Sequence, residues 1–173
     1  DIYLSQGKDY SVEAEKIHKL IQKHKKSQGR ALLDVACGTG IHAGYLNKFY
    51  NVEGLDLDSK MLSVARRKHP MMRFTQGNMI DFDLKRQFDV ITCLFSSIGY
   101  VRTTVNLHKA IKNMGRHILP GGLLLVEPWF TPEQWNPGSV FTHQVDKDGL
   151  KIFRMSLSKQ KGKTSFVEFQ YLI

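Results

Sequence analysis

Cysteine is scarce in this 173-residue chain, which has only Cys37 and Cys93. Both sit in apolar, strand-like runs. That excludes a disulfide-stapled secreted scaffold and leads one to expect a reducing, cytoplasmic setting. No pair of Cys or His has zinc-ligand spacing, so no metal is expected. No apolar run approaches the roughly 18 residues of a membrane helix, so no membrane partner is expected. The opening stretch, "DIYLSQGKDYS", is polar and lacks the apolar segment of a secretory leader. It begins with Asp1 rather than methionine, which suggests a trimmed piece. Internal repeats and low-complexity linkers are lacking too. Acidic residues are in the minority, 16 against 25 basic ones, giving a net charge of +9. Such a surface attracts acidic partners, among them nucleic acid and phosphorylated small molecules. Much of the excess lies in "EKIHKLIQKHKKSQGR" and "KIFRMSLSKQKGK", which read first as solvated faces and second as a surface that attracts a phosphate-bearing substrate.

What is present alternates. Val12, Ala14, Ile17, Leu20 and Ile21 have helical spacing over 11–26. Residues 31–37 read as a buried strand, 41–50 as a helix, 51–58 as a strand, and Ser59 to Lys68 as a helix stopped before Pro70. "MRFTQGNM" is a third strand and 88–98 a fourth. "NLHKAIKNMGRHI" is a helix ended by an "LPGG" turn, and "GLLLVEPWF" is a fifth strand. Strand–helix alternation predicts a three-layer, Rossmann-like α/β/α fold with a mostly parallel sheet. From Phe141 the rhythm changes to strand–turn–strand, with turns at "DKDG" and "KQKGK". The expected division is a ligand-binding core over 1–140 and an auxiliary antiparallel sheet over 141–173, not an independent domain.

The ligand site is expected at "LLDVACGTG", where the first strand meets a glycine turn. Gly38 and Gly40 let a ligand approach the backbone, because no Cβ intervenes. Asp56 ends the second strand and can accept from a ribose diol. Asp34 decides the ligand class. A dinucleotide would lay a pyrophosphate on this turn, and a carboxylate beside it would repel that group. A nucleoside bearing an ammonium and a sulfonium, S-adenosylmethionine, would instead be attracted. The glycines also lack G-x-G-x-x-G spacing. Asn78, ending the third strand, can accept from an adenine amino group, and Leu57 and Met79 can sandwich the ring.

At these residues the sequence resembles the class I S-adenosylmethionine-dependent methyltransferases. The resemblance covers residues 30 to about 130, through "LLDVACGTG", "GLDLDSKML", "QGNM", "FDVITCLFSSIGY" and "LPGGLLLVEPW" in order. "YLSQGKDY", "FSSIGY" and "VEPWF" are further similar to the nucleotide-linked amino-sugar N-methyltransferases, the desosamine and mycaminose type. That subgroup implies methyl transfer from S-adenosyl-L-methionine to an amine nitrogen of a small molecule, a nucleotide-linked and hence phosphorylated amino sugar. It implies an auxiliary antiparallel sheet after the fifth strand, and Tyr3 and Tyr10 closing over cofactor and amine. The third-strand motif departs from the common G-D-M, reading Gly77-Asn78-Met79. Two further strands and a helix usual at the C-terminus of class I enzymes are missing from the expected sheet. Tyr3 and Tyr100 are the candidate catalytic residues. Tyr10, Asp34, Ala36, Gly38, Gly40, Asp56, Leu57, Met61, Asn78, Met79 and Leu94 are the candidate cofactor-binding set.

Other residues keep two readings. Ser96 and Ser97 bind substrate or cap the next helix. Glu127 accepts from the amine or pairs within the core. His42 touches the cofactor's carboxylate or is structural, and a lone His143 is more often structural than a base. His117 lies at the wrong end of the sheet. Cys37 reads as an apolar filler. Two other functions stay open, an RNA or other nucleic-acid methyltransferase and a non-catalytic cofactor-binding module. The Asn/Asp-Pro-Pro-Tyr/Phe segment of base-amine methylation is replaced here by "LFSSIGY". A homodimer is also left open.

Overall fold

A computed structural model describes residues 8–147 and 149–173. The elements, in chain order, are α1 (Tyr10–His24), β1 (Ala31–Val35), α2 (Ile41–Leu46), β2 (Asn51–Asp56), α3 (Ser59–Lys68), β3 (Arg73–Gln76), β4 (Phe88–Cys93), a 3-10 turn (Ser97–Val101), α4 (Thr104–Arg116), β5 (Ile118–Val126), β6 (Val140–Lys147), β7 (Leu150–Lys161) and β8 (Thr164–Leu172). Two compact units result. One is Tyr10–Trp129, and the other includes Phe130–Ile173.

In the first unit five parallel strands run in the order β3-β2-β1-β4-β5. A parallel sheet covered on both faces needs strands that are apolar throughout. All six residues of β4 and four of the five in β1 are buried, and the polar ones among them are hydrogen-bonded, Thr92 to Asp34 and Asp89 to the Ala31 amide. Alternate side chains then divide the core. Leu32, Val90 and Leu94 pack with Ala14, Ile17 and Ile21 of α1 and with Ala43 and Leu46 of α2. Leu33, Val35, Ile91 and Cys93 pack with Ala110 and Met114 of α4. Leu62 and Ala65 of α3 close on Phe74. After β3 the chain moves to the other side of β1, so β1 and β4 flank the point where strand order reverses. Such a reversal splays the loops and leaves a crevice at the carboxyl ends.

The three-layer fold and its parallel sheet are as the sequence predicts, and α3 has the predicted bounds. Several other bounds differ. β1 stops at Val35 because Ala36 turns into a left-handed conformation, φ 59°. α2 ends at Leu46, four residues before the predicted end. β4 ends at Cys93 rather than 98, where two more left-handed residues redirect the chain. "LPGG" is no turn between helix and strand. It lies inside β5, taken up by a register shift opposite Phe88–Val90. Gly121 adopts φ 76° there, and its carbonyl accepts from the Lys26 and Ser27 amides, which moors the end of the α1–β1 connection.

The second unit is an antiparallel meander, β6-β7-β8. Lys147 pairs with Leu150 and Lys161 with Thr164, so both turns are two-residue loops. Gly149 and Gly162 supply the positive φ such loops need. Along β7 the residues Ile152, Arg154, Ser156 and Ser158 share one buried face, and the Arg154 guanidinium sits 5.5 Å over the Phe169 ring.

Candidate functional site

The crevice is built on the turn after β1. Ala36, Gly38 and Gly40 take φ of 59°, 55° and 76°. This alternation folds the chain back tightly, with the Gly40 amide donating to the Cys37 carbonyl at 2.9 Å. The two glycines answer different demands. A Cβ at Gly40 would meet His69, Ala65 and Phe74 at 3.2–3.3 Å, so this residue lets α2 start against α3 and β3. A Cβ at Gly38 would meet no protein atom within 4 Å. The space over Gly38 is open, as a ligand pressed onto the backbone requires.

Asp34 lies under this turn and is only 2% exposed. Its register partner on β4 is Thr92, whose hydroxyl donates to Asp34 Oδ1 at 2.8 Å. Burial pushes the Asp34 carboxyl up to about 6, against the pull of His42 and the Thr92 hydrogen bond, and the Asp56 charge adds to the rise. The carboxylate is therefore ionised at neutral pH but poorly solvated, a state that favours a cationic neighbour.

Asp56 does structural work that sequence reasoning did not foresee. Its Oδ2 accepts from the Gly38 amide at 2.7 Å, and its Oδ1 from the Asp58 amide at 2.9 Å. A carboxylate offers about four lone-pair sites, so half its acceptor capacity remains for a diol. Asp58 in turn caps α3, accepting from the Lys60 and Met61 amides. Leu57, 63% exposed, and Met61, 45% exposed, present apolar surface beyond β2. Past β3, Asn78 Oδ1 accepts from the Ile80 amide at 3.2 Å, so this oxygen is already part of a turn. Met79 is half-buried, its carbonyl held by Asn113. Leu94 belongs to the buried core beside Val90 and is 5% exposed.

Beyond β4 the chain departs abruptly. Phe95 and Ser96 take φ of 54° and 55° in succession. For residues with a Cβ this costs roughly 1–2 kcal/mol each. The Phe95 amide donates to Glu127 Oε2 at 2.6 Å, and the Ser96 hydroxyl donates to the Pro128 carbonyl at 2.9 Å. So Glu127 pairs with the backbone, and Ser96 caps no helix through its side chain; Thr103 caps α4 instead. The 3-10 turn that follows carries Tyr100, 80% exposed.

On the α1 side, Tyr10 is buried and meets His42 edge-on at 4.9 Å, while His42 Nε2 lies 2.8 Å from Glu13 Oε2. His42 is thus engaged by α1. Tyr3 lies outside the described residues. His143 sits on β6 opposite Arg154, and Trp129 packs over Gly99. His117 is buried below the amino ends of the strands, its Nδ1 2.8 Å from the Asn113 carbonyl. Burial raises both thiols, with nearby carboxylates adding to the rise, and Cys93 is pushed up to about 12. Both stay protonated and neither is a nucleophile.

Among the described residues no group of three or more His, Cys, Asp or Glu could hold a metal, and no helix is long and apolar enough to cross a membrane. Two clefts of about 410 and 420 Å³ open at the amino ends of the strands. Charged groups there are spent on the fold: Arg86 pairs with Glu53, Lys85 with Asp83, and Arg30 holds the Phe49 carbonyl. The buried carboxylate and the open glycine are at the other end.

Comparisons with known proteins fit this geometry. Residues 32–122 match the sequence family described as a methyltransferase domain. The Streptomyces fradiae dTDP-3-amino-3,6-dideoxy-alpha-D-glucopyranose N,N-dimethyltransferase is 40% identical over 173 residues, 99% of this chain and 68% of that protein. The crystal structure of Streptomyces venezuelae DesVI is 39% identical, with a TM-score of 0.93 over 98% of this chain and 72% of that one. The S-adenosylmethionine-bound structure of CalS10, an amino pentose methyltransferase from Micromonospora echinaspora, is 32% identical, with a TM-score of 0.86 over 98% of this chain and 78% of its own.

Proposed function

Because this chain belongs to the class I S-adenosylmethionine-dependent methyltransferases, on the branch of the sugar-amine N-methyltransferases, we propose that it methylates the amino group of a nucleotide-linked amino sugar. The observation that carries the reading is the open space over left-handed Gly38, on the turn that follows the strand bearing the buried carboxylate of Asp34. A phosphate-bearing dinucleotide is disfavoured in such a place, and a cationic nucleoside is favoured. S-adenosylmethionine, when bound, supplies a methyl group on a sulfonium, an electrophile with a neutral leaving group.

This chain's residues then have binding and aligning work. Asp34 attracts the amino-acid ammonium, directly or through the turn above it. Ala36, Gly38 and Gly40 admit the methionine moiety against the backbone, and the free acceptor sites of Asp56 face the ribose diol. Leu57, Met61 and Met79 wall the adenine. Asn78 serves it through whichever amide atom the Ile80 contact leaves, and Leu94 supports the wall from the core. Tyr10 shapes the amine side, with Tyr100 on the loop after β4. Aligning an unprotonated amine with the transferable methyl is worth roughly 7–11 kcal/mol, so no metal or covalent nucleophile is required. A base is useful but not obligatory. The acceptor carries a diphosphate, which the +9 charge attracts.

Titration calorimetry with S-adenosylmethionine and with NAD tests the cofactor. Mass spectrometry of dTDP-amino sugars incubated with enzyme and cofactor tests the acceptor. Mass gains of one or two methyl groups are expected. Binding of NAD in preference to S-adenosylmethionine, or methylation of RNA but no sugar amine, would overturn the reading.

A further inference from the structure

We infer that Glu127 is the positioning residue of the acceptor side, its carboxylate holding the loop after β4 in the left-handed course that presents residues 95–100 at the crevice. The inference rests on the proposed reading of that crevice as a methyl-transfer site. β4 and β5 are paired up to Cys93 and Val126. The Glu127 amide continues the ladder by donating to the Cys93 carbonyl at 2.9 Å. Its side chain then turns back across the sheet end, and Oε2 accepts from the Phe95 amide at 2.6 Å.

Two features show that the tie holds something against resistance. Phe95 and Ser96 are consecutive non-glycine residues at φ of 54° and 55°. Such a pair persists only where its surroundings over-determine it, and outliers of this kind concentrate at functional sites. The second tie, Ser96 hydroxyl to Pro128 carbonyl at 2.9 Å, joins the same two chain ends. Both ties link the loop to the segment that follows β5, and neither reaches the glycine turn. Glu127 should therefore govern the acceptor and leave cofactor binding alone. A negative charge so close to the end of β4 is also felt by Cys93.

Three variants test the idea in the intact chain: Glu127→Ala, Glu127→Gln and Ser96→Ala. Glu127→Ala should lower kcat on a dTDP-amino sugar about 10- to 100-fold, as displaced alignment does. Its S-adenosylmethionine affinity should stay within about twofold of wild type. Glu127→Gln, whose amide oxygen can still accept from Phe95, should recover most of the rate. Ser96→Ala should show a smaller loss of the same kind. Amide hydrogen exchange at Phe95, read without any acceptor, should quicken in Glu127→Ala and not in Glu127→Gln. Wild-type exchange at Phe95 in Glu127→Ala, equal loss of cofactor affinity and rate, or a Gln variant as poor as Ala, would each overturn the assignment. If the wild type methylates no sugar amine, the acceptor reading falls and the exchange measurement still decides the role of Glu127.

Discussion

Asp34 is held at a cost, and that cost is measurable. A carboxyl raised from 3.8 to about 6 by burial corresponds to about 3 kcal/mol. The sign follows from the direction of the shift. The folded chain binds this proton more tightly than the unfolded one, so the contribution is complete below about pH 4 and is lost as pH rises through 6. Asp34→Asn keeps the acceptor for Thr92 and removes the buried charge. Urea unfolding of the ligand-free variant should show higher stability than wild type at pH 7, by up to about 3 kcal/mol, and a flatter profile between pH 4 and 6. Calorimetry should show the opposite for S-adenosylmethionine, with weaker binding that no longer improves as pH rises from 5 to 7. A variant less stable than wild type at pH 7 would contradict this account. Gly38→Val is the complementary case. Its side chain would enter open space, and φ of 55° is strained for a β-branched residue. Cofactor binding should fall below detection, with stability lowered by roughly 1–2 kcal/mol.

At the scale of elements, β2 and α3 form one device through two aspartates. Asp56 holds the glycine turn on one oxygen and the Asp58 amide on the other, and Asp58 caps α3. Asp58→Ala should lower stability by about 1 kcal/mol in urea unfolding. Because Met61 sits in the first turn of α3, it should also weaken S-adenosylmethionine binding several-fold. Wild-type affinity in that variant would show that the start of α3 does not shape the site. Asp56→Ala is a poor probe of ribose contact, since it also releases both amides; Asp56→Asn, which keeps acceptors, separates the roles better. The elements were largely legible in the residues. Apolar runs bounded by glycine and aspartate mark β1, β2 and β4, and α3 is bracketed by its capping Asp58 and by Pro70. The misreadings share one cause. "LPGG" looks like a turn locally, but pairing with β4 and the amides of Lys26 and Ser27 draws it into β5. Likewise "LFSS" continues an apolar run, and only its ties to the chain after β5 show that it has left the sheet.

At the scale of the whole molecule, binding and charge can be tested together. A ligand that binds only the folded chain stabilises it by about 2.7 kcal/mol at one hundred times its dissociation constant. In a chain of this size that raises Tm by roughly 5–10 °C. Thermal unfolding should rise by that amount with S-adenosylmethionine and stay unchanged with NAD. With 25 basic against 16 acidic residues, KM for a diphosphate-bearing acceptor should rise as salt increases from about 0.05 to about 0.5 M, a range over which the Debye length shrinks roughly threefold. Flat KM over that range would remove the net charge from the argument.

What the residues determined by themselves was local: the alternation of periods, the breaks between elements, and a glycine turn with a carboxylate ahead of it. These are encoded within a few neighbours, so a linear reading reaches them. Tertiary structure alone decided that Asp34 is buried against Thr92, 58 residues away, and that Glu127 bonds to Phe95, 32 residues away. Such pairs depend on which strands lie side by side and in what register. That is settled by packing a whole sheet between its helices, where one shifted residue would turn every side chain of a strand to the opposite face.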